Sequence, residues 1–247
     1  LMSHDAQPAR AFILGAGLGT RLRPLTDHLP KPLVPIGGCP LVVHVFKHLV
    51  GAGVREVIIN THHAAERWVE AFPDHKAEGV RLAFRHEPVL LATGGGLKNV
   101  EDFFVGRGTF FIYNGDVFTS LPLREALAHH QRERNLATMV LRSRGGPLQV
   151  ALDSKNQVID IGGKLGGTAS PRYLFTGIHV VEPDIFQSIP ELKVQSIISI
   201  YLDLIQRGLR IGGVVLDSGE WSDVGTLAEY ERMNRTLGER NASRSPK

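Results

Sequence analysis

The stretch Ala11 to Pro35, AFILGAGLGTRLRPLTDHLPKPLVP, constrains this chain more than any other. Its apolar start, Ala11 to Leu14, stops at Gly15-Ala16-Gly17-Leu18-Gly19-Thr20, the pattern of a buried strand entering a tight loop. Glycine lets consecutive backbone N–H groups come close to a ligand, so Gly15, Ala16, Gly17, Gly19 and Thr20 are candidates to wrap phosphate oxygens. Arg21, Arg23 and Lys31 follow between Pro24, Pro30, Pro32 and Pro35, which restrict the backbone. A preformed basic loop suits a polyphosphate. The P-loop does not fit, because Thr20-Arg21 stands where Lys-Ser/Thr is needed. The dinucleotide fingerprint fails as well: it wants glycine at position 20 and a helix at once, which the prolines oppose. The alternative is a glycine turn whose cations merely face solvent.

The rest of the chain alternates strand-like apolar runs with amphipathic helical stretches, the rhythm of a mostly parallel sheet covered by helices. Strands are expected at Ala11–Leu14, Val54–Asn60, Val80–His86, Thr109–Tyr113, Leu136–Arg142, Tyr173–Val181 and Arg210–Leu216. Helices are expected at Pro40–Val50, Ala64–Phe72, Pro122–Arg134, Ser196–Arg207 and from Thr226 through Thr236. Ala92–Val100 reads as a loop, Thr93-Gly94-Gly95-Gly96, feeding a short helix. Between Gly145 and Tyr173 the texture changes to short strands and turns at Gly162, Gly163, Gly166 and Gly167, an antiparallel insertion. The expectation is one α/β domain over 9–237, with a nucleotide-binding half of about 9–135, a sugar-phosphate half of about 136–237, and a flexible tail at 238–247.

Composition narrows the class. A net charge of +3 on 247 residues gives no argument for nucleic acid. Cys39 is the sole cysteine, which excludes an intrachain disulfide and makes a reducing cytoplasm the simplest compartment. No apolar run approaches the roughly 18 residues of a membrane span, and Leu1 to Pro8 lacks a signal-peptide core. The pairs His62-His63 and His129-His130 lack the i, i+4 spacing of a helical zinc site and read as surface or capping residues.

Two acidic residues are the candidates for the chemistry. Asp116 follows an apolar strand through Asn114-Gly115, and ligands bind at the carboxyl ends of strands in open α/β sheets. A carboxylate there can hold Mg²⁺, which takes one or two carboxylates plus water and phosphates; a turn aspartate is the equal alternative. Asp223 lies in Trp221-x-Asp223-x-Gly225-Thr226, where it either caps the next helix or is left free by Thr226.

Gly15-x-Gly17-x-Gly19-Thr20-Arg21-Leu22-x-Pro24-Leu25-Thr26 followed by Pro30-Lys31-Pro32-Leu33-Val34-Pro35 resembles the signature of the sugar-1-phosphate nucleotidylyltransferases. The resemblance implies the Rossmann-like nucleotide-diphospho-sugar transferase fold and transfer of a nucleotidyl group from a triphosphate to a sugar-1-phosphate, with release of pyrophosphate. It implies that Asp116 and Asp223 jointly hold Mg²⁺, that Arg21 grips the leaving phosphates, and that Lys31 stabilises charge at the α-phosphate. It also implies that Thr93, Gly94 and Gly95 line the base pocket. Within the family the chain is most similar to the α-N-acetylmuramate-1-phosphate uridylyltransferases, on Asn114, Thr176-Gly177-Ile178 and the short C-terminus; Ala92 replaces the glutamate common there. By that similarity Asn114, Thr176 and Gly177 flank the sugar phosphate, and Lys164 stands where relatives carry Glu-Lys-Pro, with Gly163 and Leu165 departing from it. UTP and N-acetylmuramate-1-phosphate are the first expectation, guanylyl transfer to mannose- or heptose-1-phosphate the second, and a catalytically silent binding relative the third. A glycosyltransferase would want an Asp-x-Asp motif, which the sequence lacks.

Overall fold

The computed structural model describes residues 10–166 and 171–244. The segment 1–9, Gly167 of the insertion, and residues 245–247 lie outside the described residues. The first half comprises β1 (Arg10–Leu14), β2 (Pro35–Ile36), β3 (Cys39–Pro40), α1 (Leu41–Gly51), β4 (Glu56–Thr61), α2 (Glu66–Ala71), β5 (Lys76–Ala77) and β6 (Val80–His86). Then come α3 (Ala92–Asn99), α4 (Glu101–Phe104), β7 (Phe110–Asn114), β8 (Val117–Thr119) and α5 (Leu123–Glu133). The second half continues with β9 (Ala137–Arg142), β10 (Leu148–Leu152), β11 (Val158–Ile161), β12 (Arg172–Val181), α6 (Ile197–Gln206), β13 (Ile211–Val215), β14 (Trp221–Asp223) and α7 (Leu227–Arg244).

A ten-stranded mixed sheet forms the middle layer. Its centre is the parallel set β7-β1-β4-β6. There Phe12 faces one side while Ala11 and Ile13 face the other, each fully buried, as strands covered on both faces require. Helices α1 and α5 pack on the Ile13 face and α3, α4 and α6 on the Phe12 face. A fully buried Phe or Ile of this kind contributes about 1.5–3 kcal/mol.

Antiparallel β12 joins β7 to β9 and β10, and β10 pairs with β11, so the expected insertion is a pair of strands extending the sheet edge. Because β1, β4, β6 and β7 run parallel, Gly15, Asn60, Glu87 and Asn114 all arrive at the same carboxyl edge.

Three expectations need correction. Thr93 to Gly96 are not a loop: they form the first turns of α3. Helix α7 does not stop at Thr236 but passes through Gly238, beside which nothing lies within 4 Å, and continues to Arg244, taking in most of the supposed tail. His129 and His130 are buried rather than surface residues, and His130 is held by Thr138 and Glu182.

Candidate active site

The turn after β1 is shaped by three glycines with different duties. Gly15 has no room for a side chain, since a Cβ would fall 2.8 Å from Ile59 and 2.9 Å from the Asn60 carbonyl oxygen, and its N–H donates to Asn60 Oδ1 at 2.8 Å. That donor is therefore already engaged within the protein. Gly17 is exposed with open space around it, so the backbone there can approach a ligand closely. Gly19 holds φ +64, packs on Thr26, and accepts the Thr26 hydroxyl at 2.8 Å, which fixes the bend toward Arg21. Thr20 is exposed at the start of the short helical turn Thr20–Leu22.

The two aspartates meet through a ribbon of two strands. β8 pairs antiparallel with β14, placing Asp223 opposite Val117, and the Val224 N–H donates to the Asp116 carbonyl at 3.0 Å. Lys31 reaches between the carboxylates, with Nζ 2.6 Å from Asp116 Oδ2 and 3.7 Å from Asp223 Oδ1. Lys31 itself is buried, its position set by the Pro30–Leu33 turn. Burial, and then the neighbouring Asp116 charge, hold the Asp223 carboxyl above the usual range for aspartate, against the opposing pull of Lys31 and Arg21. Arg21 stands beside Asp223: a Cβ on Gly225 would lie 3.2 Å from both the Arg21 guanidinium and the Asp223 carboxylate.

This pair fits a divalent cation. Two converging carboxylates that already draw a lysine ammonium between them, one of them raised in proton affinity by the other, offer the hard oxygen donors that Mg²⁺ prefers. Among the described residues no group of three or more His, Cys, Asp or Glu side chains converges, so water and substrate phosphates would complete the shell.

A cavity of about 460 Å³ opens at the carboxyl edge of the sheet, lined by Gly15, Ala16, Gly17, Lys31, Thr93, Asn114 and Asp116 among the residues singled out from the sequence. It is also lined by two polar residues the sequence did not single out, Asn60 and Glu87. Glu87, 1% exposed at the end of β6, accepts from Asn60 Nδ2 at 2.7 Å and from the Leu91 N–H at 3.0 Å. Asn60 thus ties Glu87 to Gly15. In a sequence without an alignment, Glu87 before Pro88 looks like any surface carboxylate, and only its burial and its place at a strand end distinguish it. Ala92, at φ +57, also faces the cavity; a left-handed alanine marks strain at the mouth of a site.

Other candidates lie elsewhere. Gly94 and Gly95 do not line the cavity: both N–H groups donate to the Gln195 carbonyl, at 2.9 and 3.1 Å, and both Cα atoms press on the 193–200 segment. The Thr93 hydroxyl accepts from the Ile197 N–H at 2.9 Å. The close backbone approach that glycine permits here serves helix packing. Gly95→Ala would drive a Cβ into the Lys193 carbonyl oxygen, so a loss of about 1–3 kcal/mol is expected, read as a lower midpoint in denaturant. Thr176 is fully buried and donates its hydroxyl to the Val140 carbonyl at 2.7 Å, which places it inside the sheet. Gly177, at φ +82, sits against the Asn114 side chain, in the interval where β12 shifts register between Phe175 and His179. Lys164 is exposed on a turn pinned by the buried Asp160 carboxylate, which accepts from the Gly163 and Leu165 N–H groups, and it does not line the cavity.

A family model described as nucleotidyl transferase matches residues 10–240. Mannose-1-phosphate guanylyltransferase of Mycobacterium tuberculosis is 31% identical over 92% of this chain, and UTP–glucose-1-phosphate uridylyltransferase of Synechocystis sp. is 28% identical over 90%. The chain spans 64% and 61% of the length of those two relatives. Among solved structures, a candidate glucose-1-phosphate thymidylyltransferase from Bacillus anthracis, in complex with a sucrose, superposes with a TM-score of 0.79. It is 26% identical, with 93% of this chain and 95% of that one covered. HddC from Yersinia pseudotuberculosis, at a TM-score of 0.75 and 22% identity with 93% and 99% covered, shares the fold.

Proposed function

The chain belongs to the nucleotidyl transferase family, and from that premise we propose that it transfers a guanylyl group from GTP to a hexose-1-phosphate, releasing pyrophosphate. The observation that carries the choice of base is Glu87. A carboxylate is an acceptor only, and each Glu87 oxygen takes one bond from the protein, leaving lone pairs toward the cavity it lines. Guanine alone among the common bases offers two adjacent donors, N1–H and the N2 amino group, on one edge. Uracil offers one N–H flanked by two carbonyls that a carboxylate repels. The mannose-1-phosphate guanylyltransferase relatives support the same reading. Uridylyl transfer to N-acetylmuramate-1-phosphate is the second reading; the UTP–glucose-1-phosphate uridylyltransferase relative supports its nucleotide but not that acceptor.

In the proposed reaction an oxygen of the sugar-1-phosphate attacks the α-phosphorus. The new P–O bond forms as the bond to the β-phosphate oxygen breaks, and that oxygen leaves on pyrophosphate. Such transfers depend on positioning and charge neutralisation more than on covalent help. The backbone at Gly17 would meet the triphosphate, Arg21 would hold the leaving phosphates, and Lys31 would face the α-phosphate. Asn114 and Gly177 would border the acceptor. Asp116 and Asp223 would hold Mg²⁺, which when bound neutralises phosphate charge.

Pyrophosphate release from each of GTP, UTP, CTP and dTTP with mannose-1-phosphate, glucose-1-phosphate and N-acetylmuramate-1-phosphate tests the reading. GTP is expected to dominate, and Glu87→Gln to lower the GTP-to-UTP ratio of kcat/KM by about ten- to a hundredfold. An unchanged ratio removes Glu87 from base selection. Absence of turnover with every pair would point to a binding protein instead.

A further inference from the structure

A second cavity, of about 410 Å³, lies between the end of β9, the strand β14 and the helix α7, and four arginines line it: Arg142, Arg144, Arg232 and Arg240. Glu220 is the one acidic residue in that lining. Three of the guanidiniums have protein acceptors. Arg232 is held by Glu229, Arg240 by Glu220, and Arg144 donates to the Asp217 carbonyl at 2.7 Å. Arg142 differs. It is 6% exposed, and among the described residues its side chain makes no hydrogen bond or ion pair. Asp217 stands near enough for Arg142 to lower its proton affinity, but that carboxylate bonds to Ser143, through the backbone N–H at 3.0 Å and the hydroxyl at 2.6 Å.

The Arg142 guanidinium is not sealed in the core: it meets solvent where it lines the cavity, and with no acceptor from the protein its donors are left for one that enters there. Its planar fork matches the paired oxygens of phosphate, and the four guanidiniums still exceed the Glu220, Glu229 and Asp217 carboxylates around them by one positive charge. We propose that this cavity is a second anion site for a phosphate-bearing small molecule, anchored on the buried Arg142. The Trp221 ring forms an adjoining wall, its Nε1 donating to the Thr176 carbonyl at 2.9 Å. Trp221 is two residues from Asp223 on the same strand, so filling this cavity bears on the strand that carries the second carboxylate. The reaction proposed above uses none of these residues, and the inference stands without that reaction.

Trp221 supplies the readout, because Trp68, the other tryptophan, is fully buried in the core and serves as a constant background. Wild-type protein is titrated with inorganic phosphate, with pyrophosphate and with guanosine diphosphate, without acceptor, while tryptophan emission is followed. Saturable shifts are expected, with pyrophosphate and the diphosphate acting at lower concentration than phosphate. A stronger response to guanosine diphosphate than to pyrophosphate assigns the site to a nucleotide, and the reverse to the free polyanion. Arg142→Met is expected to weaken the response about ten- to a hundredfold and to leave nucleotidyl transfer within about twofold. No shift with any of the three probes overturns the proposal. So does an Arg142→Met protein that is folded and responds as wild type does, which would place the anion at Arg21 and Lys31 instead. Loss of all turnover in wild type, with an Arg142-dependent shift retained, overturns only the proposed reaction.

Discussion

Asp223→Asn is expected to lower turnover on the order of a thousandfold while leaving Tm unchanged or raised. The stability half follows from the raised proton affinity of Asp223. A carboxyl whose folded pKa lies above its unfolded value is charged in the fold at a cost, and that cost grows as pH rises through the folded pKa. Asparagine keeps the shape and removes the charge, so near neutral pH the variant escapes the cost. Asp116→Asn should match it in turnover but not in stability, because Asp116 is the direct partner of Lys31 at 2.6 Å and its loss leaves that buried ammonium with Asp223 at 3.7 Å. Thermal scans and pyrophosphate release on the two purified variants decide the matter. Near-wild-type turnover in either variant removes that residue from the chemistry, and a large drop in Tm for Asp223→Asn marks it as structural.

The second large effect is expected at Lys31. Lys31→Met keeps the length and apolar body of the side chain but removes the charge between the two carboxylates, so kcat/KM should fall by a hundredfold or more, on the scale of other charge-stabilising groups. Two aspartates left facing each other then repel, and a Tm lower by a few degrees is expected at neutral pH. The deficit should shrink as pH falls, because protonation of Asp223 relieves the repulsion. If the pair binds Mg²⁺, added Mg²⁺ should raise Tm more in Lys31→Met than in wild type, where the ammonium competes for the same oxygens. A Tm indifferent to Mg²⁺ in both proteins argues against the metal.

Much of this arrangement was legible in the sequence, and the failures have physical causes. β1, β4 and β7 could be located because strands buried on both faces read as short apolar runs with glycine or polar stops. Asp116 and Asp223 could be paired only by resemblance, since neither segment alone says that β8 will lie beside β14. The glycines of α3 misled because glycine is a poor helix former. Their positions are dictated by neighbours distant in sequence, Gly94 by Ile200, Gly95 by Lys193, and Gly96 by Asn60 and Glu87. Helix α7 passed unrecognised beyond Thr236 for the converse reason: Gly238 costs an exposed helix only about 1 kcal/mol and need not end it. Glu87 and Arg142 gave no local signal at all, because an unusual burial of a charged group is a property of the folded surroundings and not of the flanking residues.

The β8–β14 ribbon has a consequence for the life of the molecule before it is finished. During synthesis the segment through Asp116 emerges long before Trp221 to Asp223, so a growing chain carries one half of the carboxylate pair and not the other. Until that late strand docks, Lys31 has only Asp116 to face, and the cluster of one ammonium and two carboxylates is incomplete. Closure of the Asp116–Lys31–Asp223 cluster should accordingly be the last event in refolding, trailing the recovery of helical signal.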